Sequence, residues 1–482
     1  MAGNCESEVS VVTKDEIIEQ QAHIIAQQQE IIEQLRQKIL ELEERLNKNS
    51  SNSSNPPSSD GPGKGKPKSL REKSGKKPGA QKGHRGRGLT LMAPVTETVS
   101  HKPAQCENCP MNGKCVSCGR SAVRNVVDVE IKTKVTAHYT EKYVCPMAGG
   151  EVISGEFPED INSSIQYGNG ICALAVALNT AGMMSINRVH ELLMAILGVP
   201  ISTGTISAMV ERFSETISDT VEGIKRALLS SPVVHCDETG TRVKGTNDWV
   251  HSACDAQYTY LSLQSKRGYA GMDAAGFLPS YSGTIVHDCW SPYWSVSDVR
   301  HGLCCAHLLR ELQGVIDNAP EQADWAGRMQ RLLLEMNQCR RETLELGMAA
   351  VDNDSLQNFS ARYDLILQDA LALNPLEEKR PGRKGRPKKG KRRALIDRLM
   401  EHKGEVCLFI HDLRVPFTNN LAEQSVRMVK VKTKVSGCFR TSNGAQNFVR
   451  IMSYLQTALK HGINAWCAIS SALAGNPRFC WA

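Results

Sequence analysis

Two short stretches decide the fold: SPVVHCDETG, residues 231–240, and SGTIVHDCWSPYW, residues 282–294. Each begins with an apolar run rich in β-branched residues and ends on an acid: Asp237, followed by Glu238, in the first, and Asp288 in the second. Short apolar runs of this kind bounded by turn residues read as buried strands. Between them, NDWVHSACDA (247–256) and QYTYLSLQSK (257–266) read as two paired strands, followed by a helical stretch. A hairpin and then a crossover would put both acids at a common edge of one mixed sheet, so the fold expected is α/β. One aspartate after a strand is ordinarily a turn residue or a helix cap. Two in matched contexts call for a chemical reason.

Phosphoryl transfer on nucleic acid supplies one. Two Mg²⁺ (or Mn²⁺) ions about 3.5–4 Å apart can activate an attacking oxygen and stabilise a leaving one. Such hard cations take carboxylate, phosphate and water oxygens. A third acid is then needed, and the best candidate is Glu423 in VPFTNNLAEQSVRMVKVKTKVSGCFRTSNGAQNF, residues 415–448. Thr418 or Asn419 can cap a helix carrying Glu423, Arg427 and Lys430. Arg427 stands four residues after Glu423, so a helix-stabilising ion pair is the plain alternative. Spacing does not choose between them.

Moving towards the N-terminus, residues 160–228 have a helical pattern. A Gly198-Val199-Pro200 turn and a Ser202 cap lead into a helix from Thr203, an arrangement resembling a helix-turn-helix. Thr203, Thr205 and Ser207 would then face a DNA groove, although helical hairpins are commoner than DNA readers. Residues 90–150 hold Cys106-x2-Cys109-x5-Cys115-x2-Cys118, a spacing suited to a structural Zn²⁺, with Cys145 as an alternative ligand. Alternation in VVDVEIKTKVTAHYTEKYV (126–144) suggests a small sheet beside it.

Residues 48–89 are rich in Ser, Pro, Gly and Lys and read as a flexible basic linker. Before that, Ile18, Ile25, Ile32, Ile39 and Leu46 recur every seven residues, with Leu35 and Leu42 at the second seam position and Gln21 and Gln28 in the earlier heptads. Residues 14–47 are therefore expected to pair as a parallel two-stranded coiled coil.

The charge distribution agrees with a polyanionic partner. Residues 56–89 contain ten Lys or Arg against two acids, and 379–393 contain ten and no acid. The 17 cysteines are scattered, which argues against a disulfide framework. No apolar run reaches the ~18 residues of a spanning helix, and the first residues carry no secretory pattern. A cytoplasmic protein without membrane association is expected.

Taken in order, NSSNSSNPPSSD (49–60), GAQKGHRG (79–86), the cysteine knuckles, GVPISTGTIS (198–207), HCDETGTRVKG (235–245), TIVHDCWSPY (284–293), CCAHLLREL (304–312) and PFTNNLAEQSVR (416–427) closely resemble the insertion sequence 66 family of bacterial transposases, over nearly the whole chain. The resemblance implies an RNase H-like catalytic domain, residues 229–456, with Asp237, Asp288 and Glu423 as a DDE triad. It implies double-stranded DNA as substrate, both element ends and target. It also implies a nucleoid-associated location, small accessory proteins of the same element as partners and a short tail from 457 to 482. The first two acids are 51 residues apart (288 − 237 = 51) and the last two 135 (423 − 288 = 135), which leaves room for a helical insertion at about 312–400. Where many relatives carry a CPxC knuckle, this chain reads Cys145-Pro146-Met147-Ala148, which leaves the zinc ligand set open.

Cys304, Cys305 and His307 in CCAHLLREL could suggest a further metal site; a helix starting after the second aspartate strand is the simpler account, with Arg310 turned to DNA. Lys266 and Arg267, after the third strand, are candidate phosphate contacts. Two other functions fit part of the pattern: a structure-specific nuclease on the same fold, and a DNA-binding regulator whose catalytic domain has decayed. Retention of all three acids speaks against the second.

Overall fold

The computed structural model describes residues 13–53, 94–376 and 390–477, apart from a few positions between 102 and 121. Most of the basic linker, the bulk of the second basic block and Cys118 lie outside the described residues. The chain forms two compact units, one made of residues 70–162 and 194–199, the other of the remainder.

In the smaller unit, β1 (Lys142–Cys145) pairs antiparallel with β2 (Glu151–Ser154) through a turn in which Gly149 and Gly150 have φ of 70° and 91°. The alternating stretch from 126 was expected to form a sheet. Only its end does so; residues 122–141 run without a strand partner among those described. Val126, Val127 and Val129 are 91%, 79% and 78% exposed, so alternation here has no apolar layer to face.

The larger unit begins with α1 (Lys14–Asn47), along which Ile18, Ile25, Ile32, Leu35, Ile39, Leu42 and Leu46 are exposed. The residues directly after α1 are held in place by side chains. Ser50, Asn52 and Ser53 are buried, and Asn52 Nδ2 donates to Asn47 O (3.0 Å) and to Asp317 Oδ2 (3.2 Å). The contact needs Gly314, because a Cβ there would lie 2.4 Å from Asn52 O. At the start of the stretch read as a flexible linker, short polar side chains at 49–53 satisfy one another and a neighbouring helix.

Four helices precede the sheet: α2 (Asn169–Asn179), α3 (Ile186–Leu197), α4 (Thr203–Thr216) and α5 (Ser218–Leu229). Ser202 caps α4 as the sequence suggested, its Oγ accepting from Thr205 N at 3.0 Å. Five strands then form one mixed sheet: β3 (Val233–Val243), β4 (Thr246–Cys254), β5 (Thr259–Gln264), β6 (Thr284–His287) and β7 (Arg300–Leu303), in the order β5-β4-β3-β6-β7. The first three are antiparallel neighbours; β3, β6 and β7 run parallel. The short α6 (Tyr269–Ala274) lies in the crossover from β5 to β6.

After β7 come α7 (Cys305–Asn318), α8 (Ala323–Glu345), α9 (Asn353–Leu373), α10 (Lys391–Glu401), α11 (Lys403–Val406) and α12 (Leu408–His411). They share one apolar core that includes Trp325, Met329, Leu333, Tyr363, Leu399 and Phe409, each almost fully buried. Then α13 (Asn420–Ser436) packs on β3 and β4, α14 (Ser442–Lys460) on β5, and α15 (Ala465–Leu473) against α2. Val243, Val250, Leu261, Val429, Phe448 and Met452 close the layer between sheet and helices.

Candidate active site

Strand register builds the site. Val233, Val234 and His235 of β3 pair with Thr284, Ile285 and Val286 of β6, a constant offset of 51 residues (284 − 233 = 51). Asp237 and Asp288 stand at the same offset, so the parallel pairing carries them to adjacent positions just beyond the last paired residues. Neighbouring strands lie about 4.8 Å apart and equivalent side chains point to one face. Asp237 is not at a strand end, as the sequence implied, but in the middle of β3, which continues six residues beyond it against β4.

The face is fixed by alternation. His235, Asp237 and Thr241 share one side of β3. His235 Nδ1 meets Asn419 Oδ1 at 3.0 Å and Thr241 Oγ1 meets Thr433 Oγ1 at 2.9 Å. Ser252, the cross-strand partner of Asp237, meets Ser425 Oγ at 2.5 Å. The Asp237 face is therefore the α13 face, and Glu423 lies in the first turn of that helix.

Asn419 locks the start of α13 in place. The sequence offers it, or Thr418, as the cap of this helix. It occupies the capping position but makes no side-chain cap; its amide Nδ2 donates instead to Cys236 O (2.7 Å), and its backbone N–H donates to Cys304 Sγ (3.1 Å). One fully buried residue, through its side-chain amide and its backbone N–H, thus ties together β3, α13 and the segment entering α7.

The three acids sense one another. Burial pushes the Asp237 carboxyl well above the usual range, and the charges of Glu238, Asp288 and Glu423 raise it further. Burial also raises Asp288, opposed by the Trp290 N–H and Arg267, and raises Glu423, opposed by Arg310. Asp288 Oδ1 accepts from Trp290 N at 3.0 Å, so it does serve its turn as well. The next residue, Cys289, has φ of 70°. A left-handed non-glycine residue costs roughly 1–2 kcal/mol, strain of the kind often retained beside functional groups. Glu423 Oε1 is buried without a hydrogen bond. Three partly desolvated carboxylates, one with an orphaned oxygen, are of the chemical type that takes hard divalent cations, and their oxygens do not all lie within 4.8 Å of one another.

The cations singled out from sequence have different surroundings. The ion pair that spacing offered with Arg427 is not what Glu423 makes: its Oε1 lies 3.7 Å from His307 Nδ1 and 3.9 Å from Arg310. Arg427 is exposed. Arg267 is engaged within the protein, its guanidinium donating to Glu238 Oε1 at 2.9 and 3.2 Å and lying over the rings of Trp249 and Trp290. Lys266 is exposed beside it. Thr203 and Ser207 are exposed on α4, and Thr205 Oγ1 meets Ser202 Oγ at 2.9 Å.

Of the cysteines proposed for zinc, Cys106, Cys109, Cys115 and Cys145 do not converge among the described residues, where Cys304, His307 and Glu423 form the sole group of three or more close ligand atoms. Sequence reasoning did not find Asn419 as a clamp, nor the buried Lys432, whose Nζ donates to Asn179 O and Met184 O at 2.7 and 2.6 Å. Asn419-Asn420 before a helix was the visible signal for the first. Nothing in the sequence marks the second.

A five-stranded mixed sheet flanked by helices fits the core of a DDE transposase. Residues 164–447, more than half of the chain, match the family described as Transposase IS66 family, and the protein belongs to that family. Residues 7–90 match a family of unknown function (DUF6444). No curated protein matches the chain. No helix among the described residues is long and apolar enough to cross a membrane.

Proposed function

We propose that this transposase cleaves the 3′ ends of its insertion sequence and joins them to target DNA on an RNase H-like core, with Asp237, Asp288 and Glu423 as its DDE triad. The observation that carries this reading is the shared 51-residue offset, which sets Asp237 beside Asp288 under the helix that bears Glu423. Asp237 would hold its place through the rigidity of a central strand, Asp288 through its turn and Glu423 through the Asn419 clamp. Together they would hold two Mg²⁺ or Mn²⁺ ions, which when bound supply Lewis-acid activation of the attacking oxygen and stabilisation of the leaving one. The protein's own part is positional: fixing three oxygen donors. Hydrolysis frees a 3′-hydroxyl, and that hydroxyl attacks a target phosphodiester; neither step needs a covalent link to protein.

Element ends would meet the exposed Thr203 and Ser207 at the start of α4, with Thr205 behind them. Lys266, Arg427, Lys430 and Arg310 would contact phosphates, whereas Arg267 is already committed to Glu238. The exposed Ile and Leu stripe of α1 favours a homo-oligomer through a coiled coil. Cys106, Cys109, Cys115 and Cys118, with Cys145 as the alternative, remain the zinc ligands proposed for the smaller unit. Small accessory proteins from the same element are further partners.

The test uses labelled element ends with purified Asp237→Asn, Asp288→Asn and Glu423→Gln. Each variant is expected to bind ends and lose Mg²⁺-dependent cleavage; normal cleavage by any one removes that residue from the triad. A product joined to a second duplex separates a transposase from a nuclease.

A further inference from the structure

The pattern CCAH, residues 304–307, has a second reading that the triad does not absorb. Cys304 stands at the cap of α7 and His307 in its first turn, so the two side chains face the same space. Glu423 approaches from the first turn of α13. One ligand atom from each residue lies within 4.8 Å of the other two. Cys305, by contrast, is turned into the core, its thiol directed at the Leu303 and Val406 carbonyls.

Two details distinguish this cluster from ordinary packing. His307 Nδ1 and Glu423 Oε1 are both buried and both lack a hydrogen-bond partner. They are 3.7 Å apart, too far for a hydrogen bond to each other. That spacing is within a few tenths of an ångström of two ligands of one tetrahedral ion, which nitrogen and oxygen bond lengths of 2.0–2.2 Å hold roughly 3.3–3.6 Å apart. The sulfur is prepared as well. The Asn419 N–H points at Cys304 Sγ from 3.1 Å, the kind of outer hydrogen bond that orients and stabilises a thiolate ligand.

We propose that Cys304, His307 and Glu423 form a binding site for one thiophilic divalent cation of the Zn²⁺ class, with its fourth position open to water. Sulfur and imidazole select such an ion over Mg²⁺, which takes oxygen ligands. The site is distinct from the cysteine cluster of the smaller unit. It shares only Glu423 with the proposed triad, and its existence does not depend on that reading.

The test is metal stoichiometry on the full chain, stripped with chelator and dialysed against Co²⁺ or Zn²⁺. The parent is expected to bind one equivalent more than Cys304→Ser, whatever the other cysteines take up, and Co²⁺ thiolate absorption should fall by the amount that a single thiolate contributes. His307→Gln and Glu423→Gln, both close in shape to the native residues, should weaken that same equivalent by at least about 10–100-fold. Asp237→Asn should keep it, which separates this site from the triad. Circular dichroism and melting of each variant identify a folding failure independently of metal. Equal stoichiometry in the parent, Cys304→Ser and His307→Gln, all folded, overturns the proposal.

Discussion

Asp237 and Glu238 are consecutive on β3, both largely buried, and their fates are opposite. Glu238 points away from α13 and is completed from within the chain. Its Oε1 takes two hydrogen bonds from Arg267 and its Oε2 one from the buried Tyr293 hydroxyl at 2.9 Å. Burial still raises its carboxyl, but both partners pull it back. Asp237 takes a single backbone hydrogen bond from Glu238 N and otherwise faces further acids. Identical chemistry one residue apart is structural on one face of the sheet and left incomplete on the other. The incomplete face is the one to suspect of function, because a buried charge without a partner persists only where something external completes it.

The largest expected effect tests that incompleteness directly. Asp237→Asn should lower strand cleavage by at least about 10²–10³-fold. In chelator it should nonetheless raise the melting temperature, since it removes a repelled buried charge. A variant that loses both activity and stability would put Asp237 on the same footing as Glu238.

Next is the mirror experiment. Glu238→Ala leaves the buried Tyr293 hydroxyl without its acceptor, at a cost of about 1–3 kcal/mol. Denaturant unfolding should show that loss, and cleavage per folded molecule should fall far less than in Asp237→Asn. Equal collapse of cleavage would make Glu238 a member of the active site.

The pH dependence sharpens the contrast further. The carboxyls of Asp237, Asp288 and Glu423 are raised in the folded protein, so the native state holds their protons more tightly than the unfolded chain does. Their contribution is therefore fully present below the ordinary carboxylate values and is lost as pH rises through the raised ones. In chelator, the stability advantage of Asp237→Asn over the parent should grow as pH is raised from about 4; a constant advantage would contradict the mutual repulsion. Added Mg²⁺ should reduce it.

The smallest effect concerns another place completed from within. Gly→Ala in a helix ordinarily stabilises by up to about 1 kcal/mol. At Gly314 the added Cβ would collide with Asn52 O, so Gly314→Ala should instead destabilise and expose residues 49–53 to protease. A gain in stability would mean that the segment is only loosely seated.

Much of the fold was legible because β3, β6 and α4 carry strong local signals: β-branched runs leading into acids, and a serine cap. Asp237 and Asp288 could be picked out from residues alone. Glu423 could not, since α8 to α12 separate it from Asp288 and only the resemblance carried over the gap. Side chains whose partners are distant in sequence stayed hidden. The Asn419 amide reaches back 183 residues to Cys236 O, and Arg267 reaches back to Glu238. The stretch 126–141 erred the other way, its period-two pattern lacking any layer to pack against.

The pairing of β3 with β6 makes the proximity of the two aspartates independent of the chain between them. Residues could be added to or removed from the β4–β5 hairpin or the α6 crossover, and Asp237 and Asp288 would stay side by side so long as both strands kept their ladder. A single-residue slip within β6 would separate them at once. Relatives of this protein can therefore differ widely in the count of residues between their acids and still present the same pair, so the local strand patterns around each acid are the trait to trace across the family, and the interval between them is not.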